Sequence, residues 1–290
     1  MPHGVSMESL SAEEIRRAVR VALAEDVGTG DVTTLATVPE SATARAGMAA
    51  REPLVVAGLA VAETVFQQLS GLIEFHRLIE DGQPADAGSH ILALSGPARA
   101  ILTGERVALN FLQRLSGVAT LTARFVEAVQ GTQAKILDTR KTTPGLRLLE
   151  KYAVKCGGGA NHRLGLFDQV LIKDNHLAAL RGELPNAIGA AVSRSRKQWP
   201  QLQVEVEADT LEQVQQAVEA RADIILLDNM TPDQLRAAVQ WVAGRAKTEA
   251  SGRVNLQTVR AIALTGVDFI SVGAVTHSAP AVDIGLDFSD

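Results

Sequence analysis

A regular alternation that begins after Gly131 constrains this chain more than any other feature. Short apolar runs near Ala134–Leu137, Gln169–Ile172, Leu202–Val206, Ile224–Leu227 and Phe269–Val272 alternate with helix signals. Continuous apolar runs of this length suit strands covered on both faces, with the intervening helices as crossovers, so the pattern predicts parallel βα units. The helix starts are legible: Thr143-Pro144 puts proline at a first helical position, and Asp209 to Glu212 reads D-x-x-E. Thr231-Pro232-Asp233-Gln234 combines a capping box with such a proline. Gly157-Gly158-Gly159 reads as the stop of the helix from Thr143 to Cys156.

Every run ends in a polar group. Asp138 is followed by Arg140 and Lys141, Lys173 by Asp174, and Asp228 by Asn229, while Glu207, Glu249 with Ser251-Gly252, and Gly273 close the series. A single polar strand end facing water carries no message, but six in succession point to a shared mouth. A parallel barrel brings the carboxyl ends of its strands together, whereas an open sheet gathers ligands at one switch point.

The first 130 residues follow another pattern. Ser11-Ala12-Glu13-Glu14 is a capping box, and Ile15, Val19 and Leu23 continue it at helical spacing. Between Gly30 and Gly96, short apolar stretches are broken at Glu52-Pro53, Asp81-Gly82 and Gly96-Pro97, with one helical segment at Leu59–Leu69, which predicts a small α+β domain. Thr103–Leu115 and Val118–Val129 read as two helices separated at Ser116-Gly117, the join between domains.

Composition excludes several classes of function. With 28 Lys and Arg against 33 Asp and Glu, the net charge of -5 lacks the basic excess of a duplex-binding protein. Aromatic residues at 3% are too few for a base-stacking platform. The one cysteine, Cys156, cannot form an internal disulfide, and the longest apolar run, Leu54–Ala62, is too short to span a bilayer, so a cytoplasmic protein with no nucleic-acid or membrane partner is expected. Neither G-x-x-x-x-G-K-[ST] nor a G-x-G-x-x-G after a strand occurs, and G-x-S-x-G and H-E-x-x-H are missing too. An anionic ligand therefore has to be met by a local cluster of cations.

The segments Asp138-Thr139-Arg140-Lys141-Thr142-Thr143-Pro144-Gly145 and Gly157-Gly158-Gly159-Ala160-Asn161-His162-Arg163-Leu164-Gly165-Leu166 carry a specific resemblance. Thr103-Gly104-Glu105-Arg106, Leu171-Ile172-Lys173-Asp174-Asn175-His176, Val204-Glu205-Val206-Glu207, Leu226-Leu227-Asp228-Asn229 and Val272-Gly273-Ala274 extend it over nearly the whole chain. The sequence resembles the quinolinate phosphoribosyltransferase family, a type II phosphoribosyltransferase. Type I enzymes carry two adjacent acids and a Thr/Gly-rich phosphate loop, which Asp228-Asn229-Met230 does not supply.

The resemblance implies an α/β fold: an N-terminal α/β sandwich over residues 1–116, joined by the C-terminal segment 275–290, and an incomplete α/β barrel over 117–274. It implies transfer of phosphoribose from phosphoribosyl pyrophosphate to quinolinate, with loss of CO2 to give nicotinate mononucleotide, a Mg2+ requirement, and a homodimer or higher assembly with sites shared between subunits. By the same correspondence Arg106, Arg140, His162, Arg163 and Lys173 meet quinolinate. Lys141 meets the sugar donor. Glu207 and Asp228 serve the ribose and the Mg2+, and the main chain of Ser251, Gly252, Gly273 and Ala274, at loop-to-helix junctions, meets the 5-phosphate. Planar guanidinium groups suit bidentate carboxylate binding, in agreement with this assignment. Relatives have Gly or Asn after that Ser-Gly where this chain has Arg253, which is read as facing solvent. Two alternatives stand beside this reading: a nicotinate phosphoribosyltransferase, and an aldolase-like barrel enzyme using Lys173 as a Schiff-base amine.

Overall fold

Local capping starts the first helix where the sequence predicts. Ser11 Oγ accepts the Glu14 N–H at 3.2 Å, and Ile15, Ala18, Val19 and Leu23 make the buried stripe of α1 (Ala12–Val27). The computed structural model describes residues 10–289. Onward from α1 come α2 (Val32–Thr37), β1 (Thr43–Ala50), β2 (Leu54–Val55), α3 (Leu59–Leu69), β3 (Glu74–Arg77), β4 (Pro84–Ala85), β5 (His90–Pro97) and α4 (Ala98–Ala128). Then follow β6 (Lys135–Leu137), α5 (Arg147–Cys156), β7 (Val170–Ile172), α6 (Asp174–Ala178), α7 (Ala187–Gln198), β8 (Val204–Ala208) and α8 (Leu211–Glu219). The chain closes with β9 (Ile224–Asp228), α9 (Pro232–Val242), β10 (Lys247–Ser251), α10 (Val259–Ala263), β11 (Phe269–Ser271), α11 (Ala274–His277) and β12 (Ile284–Ser289).

Two units result. One comprises the described chain up to Ala123, Thr142–Gly158 and the chain from Val275 on; the other comprises Arg124–Lys141 and Gly159–Ala274. The boundary read at 116/117 therefore falls inside α4, and the segment carrying α5 belongs with the first unit. In that unit β12, β1, β5 and β3 form one antiparallel sheet in that order, with Ala46 opposite Phe288 on one side and Leu94 on the other. The return of β12 brings the C-terminal segment back to the first unit. Met48, Val65, Phe66, Ile91, Leu92 and Ile101 are fully buried in it.

Two readings of this region are corrected. Helix α4 is a single helix of 31 residues, not two broken at Ser116-Gly117. Both small residues mark close contacts: Ser116 Oγ accepts the Ala57 N–H at 3.0 Å, and a Cβ on Gly117 would lie 2.0 Å from the Pro280 carbonyl oxygen. Nor does Thr143-Pro144 open a helix, for α5 begins at Arg147. The buried Glu150 carboxylate captures the Thr143 N–H at 3.0 Å and its hydroxyl at 2.7 Å, which holds those residues in a loop.

The second unit is a six-stranded, all-parallel sheet in the order β6-β11-β10-β9-β8-β7. Strands β7 to β11 pair in sequence order, while β6 and β7 are the two edges, so the barrel is incomplete. Thr231 caps α9 reciprocally with Gln234, as the sequence predicts, but α8 is capped by Thr210 with Gln213 in place of Asp209 and Glu212. Strand β10 has no apolar run, yet Thr248, Glu249 and Ala250 within it are buried. Among the described residues no helix is long and apolar enough to cross a membrane.

Gly117 provides a test in which two effects oppose each other. Helix propensity alone makes Gly117→Ala stabilising by about 1 kcal/mol, whereas forcing a methyl against the Pro280 main chain costs about 1–3 kcal/mol. The clash wins because backbone cannot swing aside like a side-chain end, and a melting temperature above wild type would contradict this packing.

Candidate active site

At the carboxyl ends of the parallel strands, a cavity of about 290 Å3 is lined by Thr139, Arg140, Lys141, His162, Arg163, Leu171, Lys173, Leu226, Glu249, Ser251 and Ser271. The strand register assembles it. Ile172 pairs with Val206, so the next residues on β7 and β8 bring Lys173 Nζ to 2.5 Å from Glu207 Oε2. Ser251 pairs with Asp228, and the Asn229 N–H donates to the Ser251 carbonyl at 2.9 Å. Asn229 Nδ2 in turn donates to Asp228 Oδ2 at 2.5 Å.

Gly252 is required at this crossing. Its φ of +98° lies in the region that favours glycine, and a Cβ there would stand 2.3 Å from Asn229 Oδ1 and 2.9 Å from Asn229 N. The loops after β9 and β10 are thereby interlocked through glycine.

Beneath the cationic rim lies a buried acidic floor. Asp138, Glu205 and Glu249 are 0%, 0% and 1% exposed. Asp138 accepts the His162 N–H at 2.9 Å and Asn161 Nδ2 at 2.7 Å. The His162 ring has both nitrogens engaged: Nδ1 accepts the Arg163 N–H at 2.7 Å, and Nε2 stands 3.1 Å from Glu205 Oε2 and 3.5 Å from Glu249 Oε1. Gln169 Nε2 donates to Glu205 Oε2 at 2.8 Å, and the Ser271 hydroxyl donates to Glu249 Oε1. The two oxygens facing the imidazole are thus already satisfied as a hydrogen-bonded cluster. Burial, reinforced by the Glu205 charge, pushes the Glu249 carboxyl up to about 8. Burial and the neighbouring Arg140 guanidinium lower the Arg163 pKa from its ordinary value.

A second acidic group lies at the strand ends. Asp209 is raised from its ordinary value by burial and by the charges of Asp228 and Asp174.

Of the residues singled out from sequence, Arg140, Lys141, His162, Arg163, Lys173 and Ser251 line the cavity. Glu207 adjoins it through Lys173, and Asp228 and Gly252 adjoin it through Ser251. Gly273 and Ala274 follow β11 at the start of the short helix α11. Ser251-Gly252 does not stand at a loop-to-helix junction, because α10 begins only at Val259. Arg253 is exposed with a φ of +50°, in keeping with its solvent-facing reading. Arg106 is exposed on α4 in the first unit and does not line this cavity.

Thr139, Ser271, Glu205 and Glu249 join the site beyond the residues to which the sequence assigns a role. The V-E-V-E stretch held the signal for one of them, since a period of two puts Glu205 and Glu207 on one strand face. A larger cavity of about 950 Å3 lies at the opposite, amino ends of the strands. There Arg196 pairs with Asp223 at 3.1 Å and Lys247 with Asp268 at 2.7 Å, so compensated ion pairs line it, in contrast to the cationic excess of the smaller cavity.

Known proteins bear on this geometry. Residues 31–116 match the family model "Quinolinate phosphoribosyl transferase, N-terminal domain", and residues 118–287 match the corresponding C-terminal domain model. The chain is 46% identical over 278 residues to a nicotinate-nucleotide pyrophosphorylase [carboxylating] of Mycobacterium leprae, covering 94% of this chain and 96% of the relative. A probable nicotinate-nucleotide pyrophosphorylase [carboxylating] of Bacillus subtilis is 43% identical, with 91% and 89% covered. The structure is similar to that of the nicotinate-nucleotide pyrophosphorylase of Francisella tularensis, with a TM-score of 0.92, 41% identity, and 98% and 99% of the two chains covered.

The interlock at Gly252 is open to direct test. Gly252→Ala meets both an unfavourable φ and the Asn229 main chain, so it lowers stability by about 1–3 kcal/mol. Gly71→Ala, where an added Cβ meets nothing within 4 Å, serves as the neutral control. Equal melting temperatures for the two variants would refute the interlock.

Proposed function

The chain belongs to the quinolinate phosphoribosyl transferase family, and from that premise we propose how its residues transfer phosphoribose from phosphoribosyl pyrophosphate to quinolinate, releasing pyrophosphate and CO2 and leaving nicotinate mononucleotide. The observation that carries the residue assignment is the cavity in which Arg140, Lys141, Arg163 and Lys173 converge within a net acidic chain. Quinolinate brings two carboxylates, and the donor brings a phosphate and a pyrophosphate, so a cationic cavity is what the pair of substrates requires.

In this reading Arg140 and Arg163 hold the acceptor carboxylates through their planar forks, and Lys173 adds a charge at the rim. His162, with both ring nitrogens engaged, supports the acceptor by fixing the Arg163 main chain. Lys173 is ion-paired with Glu207, which supports its reading as a charge partner over that of a Schiff-base amine. Lys141 meets the donor pyrophosphate, and the main chain at Ser251-Gly252 and Gly273-Ala274 meets the 5-phosphate.

The pyridine nitrogen attacks the anomeric carbon as pyrophosphate leaves, and positive charge builds on the ribose in the process. Glu207 and Asp228 stabilise that charge and orient the ribose hydroxyls. The same two acids would hold Mg2+, a hard cation taken by carboxylate oxygens, which would neutralise the pyrophosphate oxygens. The acceptor ring, now a cation, stabilises the electron pair left when its adjacent carboxylate departs as CO2, and a proton takes the vacated carbon. Quinolinate's second carboxylate accounts for the paired arginines better than nicotinate does. The chain works as a homodimer in the cytoplasm on this reading, with Arg106 reaching the site of the neighbouring subunit.

Incubated with quinolinate, phosphoribosyl pyrophosphate and Mg2+, the protein releases pyrophosphate and CO2 in equal amounts, and Glu207→Gln or Asp228→Asn lowers turnover by about 10²-fold. Near-normal turnover in both variants would remove the acids from the mechanism.

Subunit mixing tests the shared site. Arg106→Ala and Asp228→Asn proteins are each nearly inactive, since loss of one charged contact in a desolvated site costs about 2–4 kcal/mol. A mixed dimer gathers both lesions in one site and leaves the other intact, so activity returns after exchange. Verified exchange without recovery would mean that Arg106 serves its own subunit or none.

A further inference from the structure

One titratable group lining the cavity has no part in the reaction as derived above, the Glu249 carboxyl. It stands on β10, is 1% exposed, and still borders the cavity. Its Oε1 accepts the Ser271 hydroxyl from β11 and faces His162 Nε2 at 3.5 Å. Its Oε2 is buried without a hydrogen-bond partner.

The groups around it settle its charge state. Glu205 from β8 and Asp138 after β6 contribute carboxylates, and His162 contributes the imidazole. Leu226 is the β9 residue in register with Glu249 and brings no charge. Because His162 Nδ1 accepts the Arg163 N–H, the ring directs its Nε2 hydrogen at the two acids. One imidazole cannot balance two buried carboxylates, and an unpaired buried charge is strongly disfavoured. Each acid has one buried oxygen without a partner, Glu205 Oε1 and Glu249 Oε2. Glu205 also takes Gln169 at 2.8 Å, has His162 Nε2 nearer at 3.1 Å and feels the Arg163 charge, so the proton resides on Glu249, on its partnerless Oε2. The upward displacement of this carboxyl to about 8 agrees with that geometry.

We propose that protonated Glu249 is a specificity-determining group of the acceptor site: its neutral form keeps the cavity floor free of a fixed negative charge that would repel a dicarboxylate. When Glu249 ionises, the new anion sits under the same space that Arg140, Lys141, Arg163 and Lys173 line, and it offsets part of their attraction. Acceptor binding weakens while the chemical step is less affected. The inference rests on the reading of this cavity as a quinolinate site.

Steady-state kinetics across pH reads it out. In the wild-type protein the KM for quinolinate rises about tenfold from about pH 7 to about pH 9, as expected for one proton required with a midpoint near 8, and kcat changes less. Glu249→Gln keeps a neutral group of the same size, so its KM stays flat over that range. A monocarboxylate competitor, nicotinate, shows a smaller rise in inhibition constant in the wild-type protein, because it brings one negative charge fewer to the floor. A flat wild-type KM overturns the proposal, as does an unchanged rise in Glu249→Gln or an equal rise for nicotinate. The wild-type and nicotinate measurements do not depend on the variant folding. No quinolinate turnover at any pH would instead defeat the underlying reading of the site.

Discussion

A carboxylate taken out of water is tolerated only where donors or a proton meet it, and the second unit places three of them, Asp138, Glu205 and Glu249, under its cavity. The groups that meet them are the ones that shape the site. Asp138 takes the His162 N–H and Asn161, Glu205 takes Gln169 and faces His162, and Glu249 takes Ser271. Satisfying the acids therefore fixes the stretch after Ala160, and with it the position of Arg163 in the cavity wall. The cations at the rim stand above a floor whose negative charge is spent internally, which leaves their attraction for anionic substrates.

The first unit contains a comparable arrangement with a structural purpose. Glu150, 0% exposed, receives Arg114 Nη2 at 2.7 Å along with the Thr143 N–H and hydroxyl. Arg114 also donates to the carbonyls of Thr276 and Ala279, so one guanidinium joins α4, the loop before α5 and the stretch after α11. Removing one partner of such a buried pair leaves the other uncompensated, which costs far more than the net worth of the pair. The excursion of the chain between Thr142 and Gly158 is thereby anchored at Thr143, two residues beyond Lys141.

The outcomes of reading the sequence divide along physical lines. Strands β6, β7, β8, β9 and β11 announce themselves by apolar runs, and the cap of α9 is read correctly because Thr231, Pro232 and Gln234 act within one turn. Strand β10 is composed of Lys-Thr-Glu-Ala-Ser and shows itself only by the polar residues at its end, since its burial comes from neighbours on both sides. Gly117 and Thr143-Pro144 mislead a local reading because what they touch, Pro280 and Glu150, is supplied by other parts of the chain.

By itself the sequence determined the parallel βα order, most of the cationic residues of the cavity and, through the D-T-R-K-T and G-G-G-x-N-H-R-L-G-L segments, the family. Those are matters of local periodicity and of residue types at short spacing. Only the tertiary structure decided that α4 is continuous, that both ring nitrogens of His162 are engaged within the protein, and that Glu205 and Glu249 meet beneath the cavity. Glu205 and Glu249 stand on strands separated by β9, so no local spacing announces their approach. Their proximity, and the protonation that follows from it, exists only once the parallel sheet has brought the two strands into register.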